Sequence, residues 1–270
     1  MDKVSPGQLL AAVRAGKPLV HHITNYVTVN DCANMTLHTG GLPVMAHARE
    51  EVQEMVACAN ALVLNIGTLD PLQVEAMFLA GKRANELGIP VVLDPVGAGA
   101  TPLRTDSAKR LMEEVKIAIL KGNAAEIGIL AGAGGEIKGV EAVGAAGDTQ
   151  AAAVQLARQR GVTVAVTGAV DLVTDGQRLA RIRNGHPLMG AITGTGCMAA
   201  SVLGCFVGVR RDDPWEAAVA GLVAFGLAGE KAAASGVAGP AAFKTAFLDS
   251  MALLTPEEVA NGTRLELVTV

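Results

Sequence analysis

Aromatic residues are scarce in this 270-residue chain: one Trp, one Tyr and five Phe make up 3% of it. Any core must therefore be aliphatic, built from Val, Leu, Ile, Ala and Met. Half of the residues are hydrophobic, enough for one large core. Clustered positive charge is also missing. No Lys/Arg run exceeds a pair such as Arg210–Arg211, and the net charge is −4, which argues against a nucleic-acid surface. The four cysteines (Cys32, Cys58, Cys197, Cys205) form no CxxC pair. A chain of this size needs no disulfide framework, so neither disulfides nor a structural zinc is expected, and a reducing cytoplasm is the expected location. The opening "MDKVSPGQLL" has no apolar segment of signal-peptide length. No window reaches the roughly 18 uninterrupted apolar residues of a membrane span; the longest apolar stretch, Ala217–Ala228, is Gly- and Ala-rich and reads as too short. With no Ser/Pro-rich linker and no internal repeat, a single domain over 1–270 is expected.

What is present is an alternation. Short β-branched runs, "ALVLNIG" (61–67), "IPVVLDP" (89–95), "IAILKGN" (117–123) and "VTVAVTG" (162–168), read as buried parallel strands. Helical patterns lie between them, at 73–88, 105–115 and 147–161. The second opens on Thr105 and Asp106 in capping positions. Strand–helix–strand alternation predicts a three-layer α/β/α sandwich with a mostly parallel central sheet. Asp175-Gly176 predicts a hairpin on one edge. From about Thr195 to Leu254 the pattern is almost all helical.

Ligands of such sheets sit at the carboxyl ends of the strands. Here those ends are polar or flexible: 65–70, 94–99, 121–123 and 167–168. Together they outline a rim suited to an anion and a metal. In "DPVGAG" (94–99), Asp94 reads either as a carboxylate for a Mg²⁺ shell or as a plain Asp-Pro turn. In "KGNAAEIGIL" (121–130), Glu126 stands three residues after Asn123, a capping box; the other reading sets it beside Asp94 around a hydrated magnesium, with Lys121 neutralising phosphate. Thr167 either donates to a phosphate oxygen or only satisfies its strand end. In "TGTGCMAASVLG" (193–204), Gly194 and Gly196 suit an anion nest at a helix start, or close helix packing. Cys197 reads as a small buried hydrophobe unless that nest is functional. "HHITNYVTVNDCANMTLHTGG" (21–41) crowds polar residues before and along a helix. His21 and His22 have no third ligand at zinc-like spacing, so a platform for a small polar ligand is the better reading. Met45 reads as a pocket wall or as core.

The stretches "HHITNYV", "GGLPVM", "DPVGAGAT", "KGNAAEI", "VAVTGAVDLVTDG" and "ITGTGCM", in this order and spacing, resemble the hydroxyethylthiazole kinase family of thiamine salvage, within the ribokinase-like superfamily. The resemblance runs from about residue 17 to 255. It implies ATP-dependent phosphorylation of the hydroxyl of 4-methyl-5-(2-hydroxyethyl)thiazole, Mg²⁺ as cofactor, and a homotrimer with sites between subunits. Residue by residue, it implies thiazole contacts at Met45 and Gly194, with Asn25 and Val27 in the segment lining that pocket. It implies ATP contacts at Lys121 and Thr167, and magnesium-associated carboxylates at Asp94 and Glu126. Lys121 replaces a more usual arginine, which keeps the charge but not the bidentate geometry. Cys197 stands where many ribokinase-like enzymes place an aspartate base. Phosphoryl transfer through a loose transition state deprotonates its nucleophile late, so Cys197 is expected to orient the alcohol, while the Gly194 and Gly196 amides meet the phosphoryl group. Pyridoxal-type kinases and an ATP-dependent repair hydratase of the same fold are the rival readings; "HHITNYV" argues against the first and Cys197 against the second.

Overall fold

Continuous apolar runs can be buried on both faces of a sheet, and that is what these runs do. The computed structural model describes residues 5–132, 137–138, 141–142 and 149–270. In chain order the elements are α1 (Pro6–Gly16), β1 (Leu19–Ile23), α2 (Val29–Thr39), β2 (Leu42–Val44), α3 (Val52–Ala57), β3 (Ala61–Asn65), α4 (Pro71–Glu86), β4 (Val91–Asp94), α5 (Pro102–Glu114), β5 (Ile119–Asn123), α6 (Ala124–Leu130), β6 (Ile137–Lys138) and β7 (Glu141–Ala142). There follow α7 (Thr149–Arg160), β8 (Thr163–Thr167), β9 (Asp171–Thr174), β10 (Arg178–Ile182), a 3-10 turn (Pro187–Ala191), α8 (Thr195–Val209), α9 (Pro214–Ala234), α10 (Pro240–Leu253), α11 (Pro256–Gly262) and β11 (Leu265–Thr269).

Nine strands form one sheet in the order β11-β10-β9-β8-β5-β4-β3-β1-β2. The six from β8 to β2 are mutually parallel, and β9, β10 and β11 extend the other edge antiparallel. Alternate residues feed two cores. Val63, Val92 and Ile119 face the layer of α1, α8, α9 and α10. Leu62, Leu64, Leu93 and Leu120 face α4, α5 and α7. The three-layer sandwich expected from the alternation is therefore what forms.

Its edges hold what the pattern did not predict. β1 carries His21 and His22 in its middle, β2 has three residues, and β11 follows the helical C-terminal region. α5 begins earlier than expected: Thr101, not Thr105, caps it, accepting from the Arg104 amide, and Pro102 occupies the first turn. Thr105 instead accepts from the Gly99 amide at 2.8 Å. Gly147 and Asp148, at the start of the expected third helix, lie outside the described residues. The hairpin forms as expected. Asp175 accepts from the amides of Gln177 and Arg178, and Gly176 sits at φ +89°.

Two helices shape the layer over the site. Gly204 of α8 lies so close to the sheet that a Cβ there would meet Val63 at 2.7 Å and Val20 at 2.9 Å. The stretch Ala217–Ala228, read as too short for a membrane, belongs to α9, whose 21 residues are long and apolar enough to cross one. Its most apolar window is 72% buried within the fold; α9 packs on α8 and α10, as a core helix does.

Candidate functional site

The parallel strands end in a row. Asn65 of β3 lies in register with Asp94 of β4, and Asn123 of β5 with Thr167 of β8. Above this carboxyl edge α8 begins. Its first helical amides have no side-chain cap, and Gly194 turns into the helix at φ +92°. Such a start presents free N–H donors and the positive end of the helix dipole.

On one side of this start lies a cleft of about 710 Å³. It is lined by Thr167, Gly168 and Asp171 from the β8–β9 turn, by Gly185 and His186, by 192–196, and by Phe225 and Gly226 of α9. On the other side lies a buried polar cluster. Lys121 Nζ stands 3.2 Å from Asp94 Oδ1, with both side chains essentially out of solvent. Asn65 Nδ2 donates to Asp94 Oδ2 at 2.7 Å. Asn25 Nδ2 donates to Asn65 Oδ1 at 2.9 Å and to Cys197 Sγ at 3.2 Å. Glu126 accepts from the Gly97 amide through Oε1 and from the Asn123 amide through Oε2, both at 2.8 Å. The two halves meet under the loop: a Cβ on Gly196 would fall 2.8 Å from Lys121 Nζ.

Burial pushes the carboxyls of Asp94 and Glu126 above their ordinary range, while the Lys121 ammonium works the other way. Burial also opposes the charge of Lys121, but Asp94, Glu126 and Cys197 outweigh it and hold the ammonium above its usual value. Burial, then Asp94, raises the Cys197 thiol, so it is protonated at neutral pH. The cluster thus sets two carboxylates against one cation, a deficit that suits a divalent cation. Each carboxylate oxygen already accepts one hydrogen bond and retains a second acceptor position. Among the described residues no group of three or more His, Cys, Asp or Glu could hold a metal. The donor set therefore fits a hydrated Mg²⁺ completed by substrate phosphates, not a cation caged by protein.

Of the residues singled out in the sequence, the structure brings together Asn25, Asp94, Lys121, Glu126, Gly194, Gly196 and Cys197. Lys121 lies inside β5 and points at Asp94 beneath the loop; it does not line the cleft. Thr167 does line it, and its one hydroxyl proton is directed to the Gly122 carbonyl at 3.4 Å, which is the strand-end reading of this residue. Glu126 both caps α6 and binds the Gly97 amide. Met45 and Val27, expected with Asn25 on the thiazole side, do not line this cleft. Val27 is 67% exposed. Met45 is half-buried just after β2, which pairs in parallel with β1, the strand that leads into Asn25.

The histidine pair is no zinc site: successive residues of a strand point to opposite faces. His21 Nε2 bonds the Ala46 carbonyl and His22 Nε2 the Thr36 hydroxyl. Burial, then His21, drops His22 to about 3, and both rings are neutral. Two residues escaped the sequence reading. Asp171, in the cleft, accepts from the Gly168 amide and is pushed up to about 7 by burial. Arg104 of α5 donates to the carbonyls of Ile66, Gly67 and Val96, tying two strand ends together. Asp171 follows a Thr-Gly strand end, a placement that could have flagged it; Arg104 carried no signal.

Residues 10–257 match the hydroxyethylthiazole kinase family. The chain belongs to that family. It is 58% identical over 261 residues to a hydroxyethylthiazole kinase of Thermoanaerobacter sp. (strain X514), covering 96% of this chain and 99% of that one. It is 57% identical to one of Methanoculleus marisnigri, covering 98% and 95%. Among solved structures, the hydroxyethylthiazole kinase protein of Pyrococcus horikoshii OT3 superposes with a TM-score of 0.88 at 42% identity, covering 97% of this chain and 98% of that one. The pyridoxal kinase of Staphylococcus aureus, at 16% identity and a TM-score of 0.60, shares the fold. Family membership thus agrees with the resemblance carried by the six sequence stretches.

Proposed function

We propose that this chain transfers the γ-phosphoryl group of ATP to the primary hydroxyl of 4-methyl-5-(2-hydroxyethyl)thiazole. The observation that carries this reading, within a family of that name, is the position of the uncapped α8 start. It stands between a nucleotide-sized cleft and the Asp94–Lys121–Asn25–Cys197 cluster. ATP lies in the cleft, with Thr167 and the loop amides toward its phosphates. Asp94 and Glu126 would hold a hydrated magnesium, which when bound would supply positive charge to neutralise those phosphates. Lys121, under Gly196, adds positive charge below the loop, which favours the charge spread over the transferring group.

The alcohol lies beside Cys197. Its thiol, neutral and fixed by Asn25, orients the hydroxyl and need not remove its proton, because deprotonation is late in a loose transition state. Cys197→Ser is expected to lower turnover modestly. Cys197→Asp is expected to keep or raise it, since Asn25 Nδ2 already offers a donor at that point. Total loss in both variants with normal ATP binding would falsify the orienting role. Glu126→Gln is expected to raise the magnesium requirement; a loss of thermal stability alone would reduce Glu126 to its capping role.

A homotrimer with sites between subunits belongs to the same reading. Supporting it, Tyr26 and Val27 are largely exposed beside the cluster. A cytoplasmic location is in keeping with four cysteines that are all free. The deciding assay is ADP release: steady with ATP, Mg²⁺ and the thiazole alcohol, and none with pyridoxal.

A further inference from the structure

The two asparagines of the cluster have no freedom in how their amides face. Asn25 Oδ1 accepts from the amide and the hydroxyl of Thr28, both at 3.0 Å. Asn65 Oδ1 accepts from the Gly67 amide at 2.9 Å. A backbone N–H requires an oxygen opposite it, so both carboxamides are oriented. Asn25 must then turn its two N–H bonds to Asn65 Oδ1 and Cys197 Sγ, and Asn65 must turn its own to Asp94. Both asparagines are buried, Asn25 at 3% and Asn65 at 1% exposure. The result is one polarised line, Asp94–Asn65–Asn25–Cys197, running from the metal-side carboxylate to the sulfur.

We propose that Asn65 is a positioning residue for phosphoryl transfer: it locks Asn25, which holds the Cys197 sulfur in a single orientation toward the acceptor alcohol. This rests on the reading that the alcohol lies beside Cys197. With its lone pair turned to the Asn25 N–H, the sulfur directs its own S–H away from Asn25. Without Asn65, the Asn25 carboxamide keeps its Thr28 anchor but loses the acceptor that fixes its rotation, and the sulfur loses its fixed donor.

Two measurements test this. The first needs neither substrate nor metal: the rate of iodoacetamide alkylation at Cys197, followed by peptide mass spectrometry in the otherwise unaltered protein. Asn65→Leu removes all three side-chain hydrogen bonds at similar volume, and Cys197 is expected to react at least about threefold slower, because the reactive thiolate loses the oriented N–H donor that favours it. The second is a double-mutant cycle. Asn65→Leu is expected to lower kcat about tenfold with little change in the KM for ATP, and to lower it less than about threefold in a Cys197→Ala background, because residues acting through one another are not additive. Equal alkylation in Asn65→Leu and parent, or the same factor in both backgrounds, overturns the proposal. If Cys197→Ala leaves turnover unchanged, the alcohol-site reading has failed instead. Should Asn65→Leu not fold, Asn65→Ser, too short to reach Asp94 or Asn25, is read by the same criteria.

Discussion

At the residue scale, the two glycines of the α8 start do different work. Gly194 needs its left-handed φ of +92°, and a Cβ there would strike Thr28 Cγ2 at 2.5 Å. Gly194→Ala is therefore expected to cost about 1–3 kcal/mol in a denaturation experiment and to lower activity steeply. Gly196 has no such backbone demand; its Cβ would meet only the flexible end of Lys121. Gly196→Ala is expected to fold with nearly parental stability but to lose turnover, because the ammonium must move away from the loop. Asp171 brings a dependence on pH. Its pKa is about 7 in the fold, against an ordinary 3.8. Below about pH 4 the folded and unfolded chains both hold the proton; above about 7 neither does, and the fold carries a desolvated charge. The penalty grows between these limits and then levels off. Asp171→Asn is expected to gain about 1–2 kcal/mol at pH 8 and nothing at pH 4. Thermal melts at both pH values check this, and an equal gain at both would assign the effect to packing.

At the element scale, the site depends on how strand ends are held. Arg104 reaches from α5 to three carbonyls on the β3 and β4 ends, and the Gly97 amide beyond β4 binds Glu126. Arg104→Met keeps the apolar stem and removes the donors. It is expected to lower Tm by a few degrees and to reduce kcat more than the KM for ATP, since the cleft walls are untouched. The same elements show what the sequence could reveal. β3, β4, β5 and β8 were legible because parallel strands buried on both faces need continuous apolar runs, and their polar ends marked the rim. β1 was not, because two consecutive histidines interrupt its run; burial keeps them neutral and Ala46 and Thr36 satisfy them. Thr105 misplaced the start of α5 because Thr101-Pro102, four residues earlier, already supplies a cap. The pairings that make the cluster, Asn25 with Asn65 forty residues away and with Cys197 much further on, leave no trace in local pattern. They exist only once β1 and β3 are neighbours.

At the scale of the whole molecule, the question is what the single chain leaves incomplete. The cleft is walled by one chain, and the same chain supplies Cys197, Asn25 and Asp94 on the other side of the α8 start. The side proposed for the thiazole is different: Val27 and Tyr26 are turned outward at 67% and 57% exposure, and Leu72 at 62%. Tyr26 leans edge-on to His47 and reaches Asp70 at 3.5 Å, so this apolar rim is continuous with the segment that follows Met45. Three copies related by a closed rotation would each cover a neighbour's rim with a different surface of their own, and each site would take its thiazole contacts from two chains. Val27→Asp places a charge on that rim at no cost to the core of the chain. It is expected to shift the light-scattering mass from three times the 27.5 kDa chain toward a single chain. The KM for the thiazole alcohol should then rise at least about tenfold while ATP affinity stays within about threefold, because only the former loses contacts to a neighbour. A variant that dissociates yet keeps its thiazole KM would show that one chain completes the pocket. One that stays assembled with both constants unchanged would move the interface elsewhere on the surface.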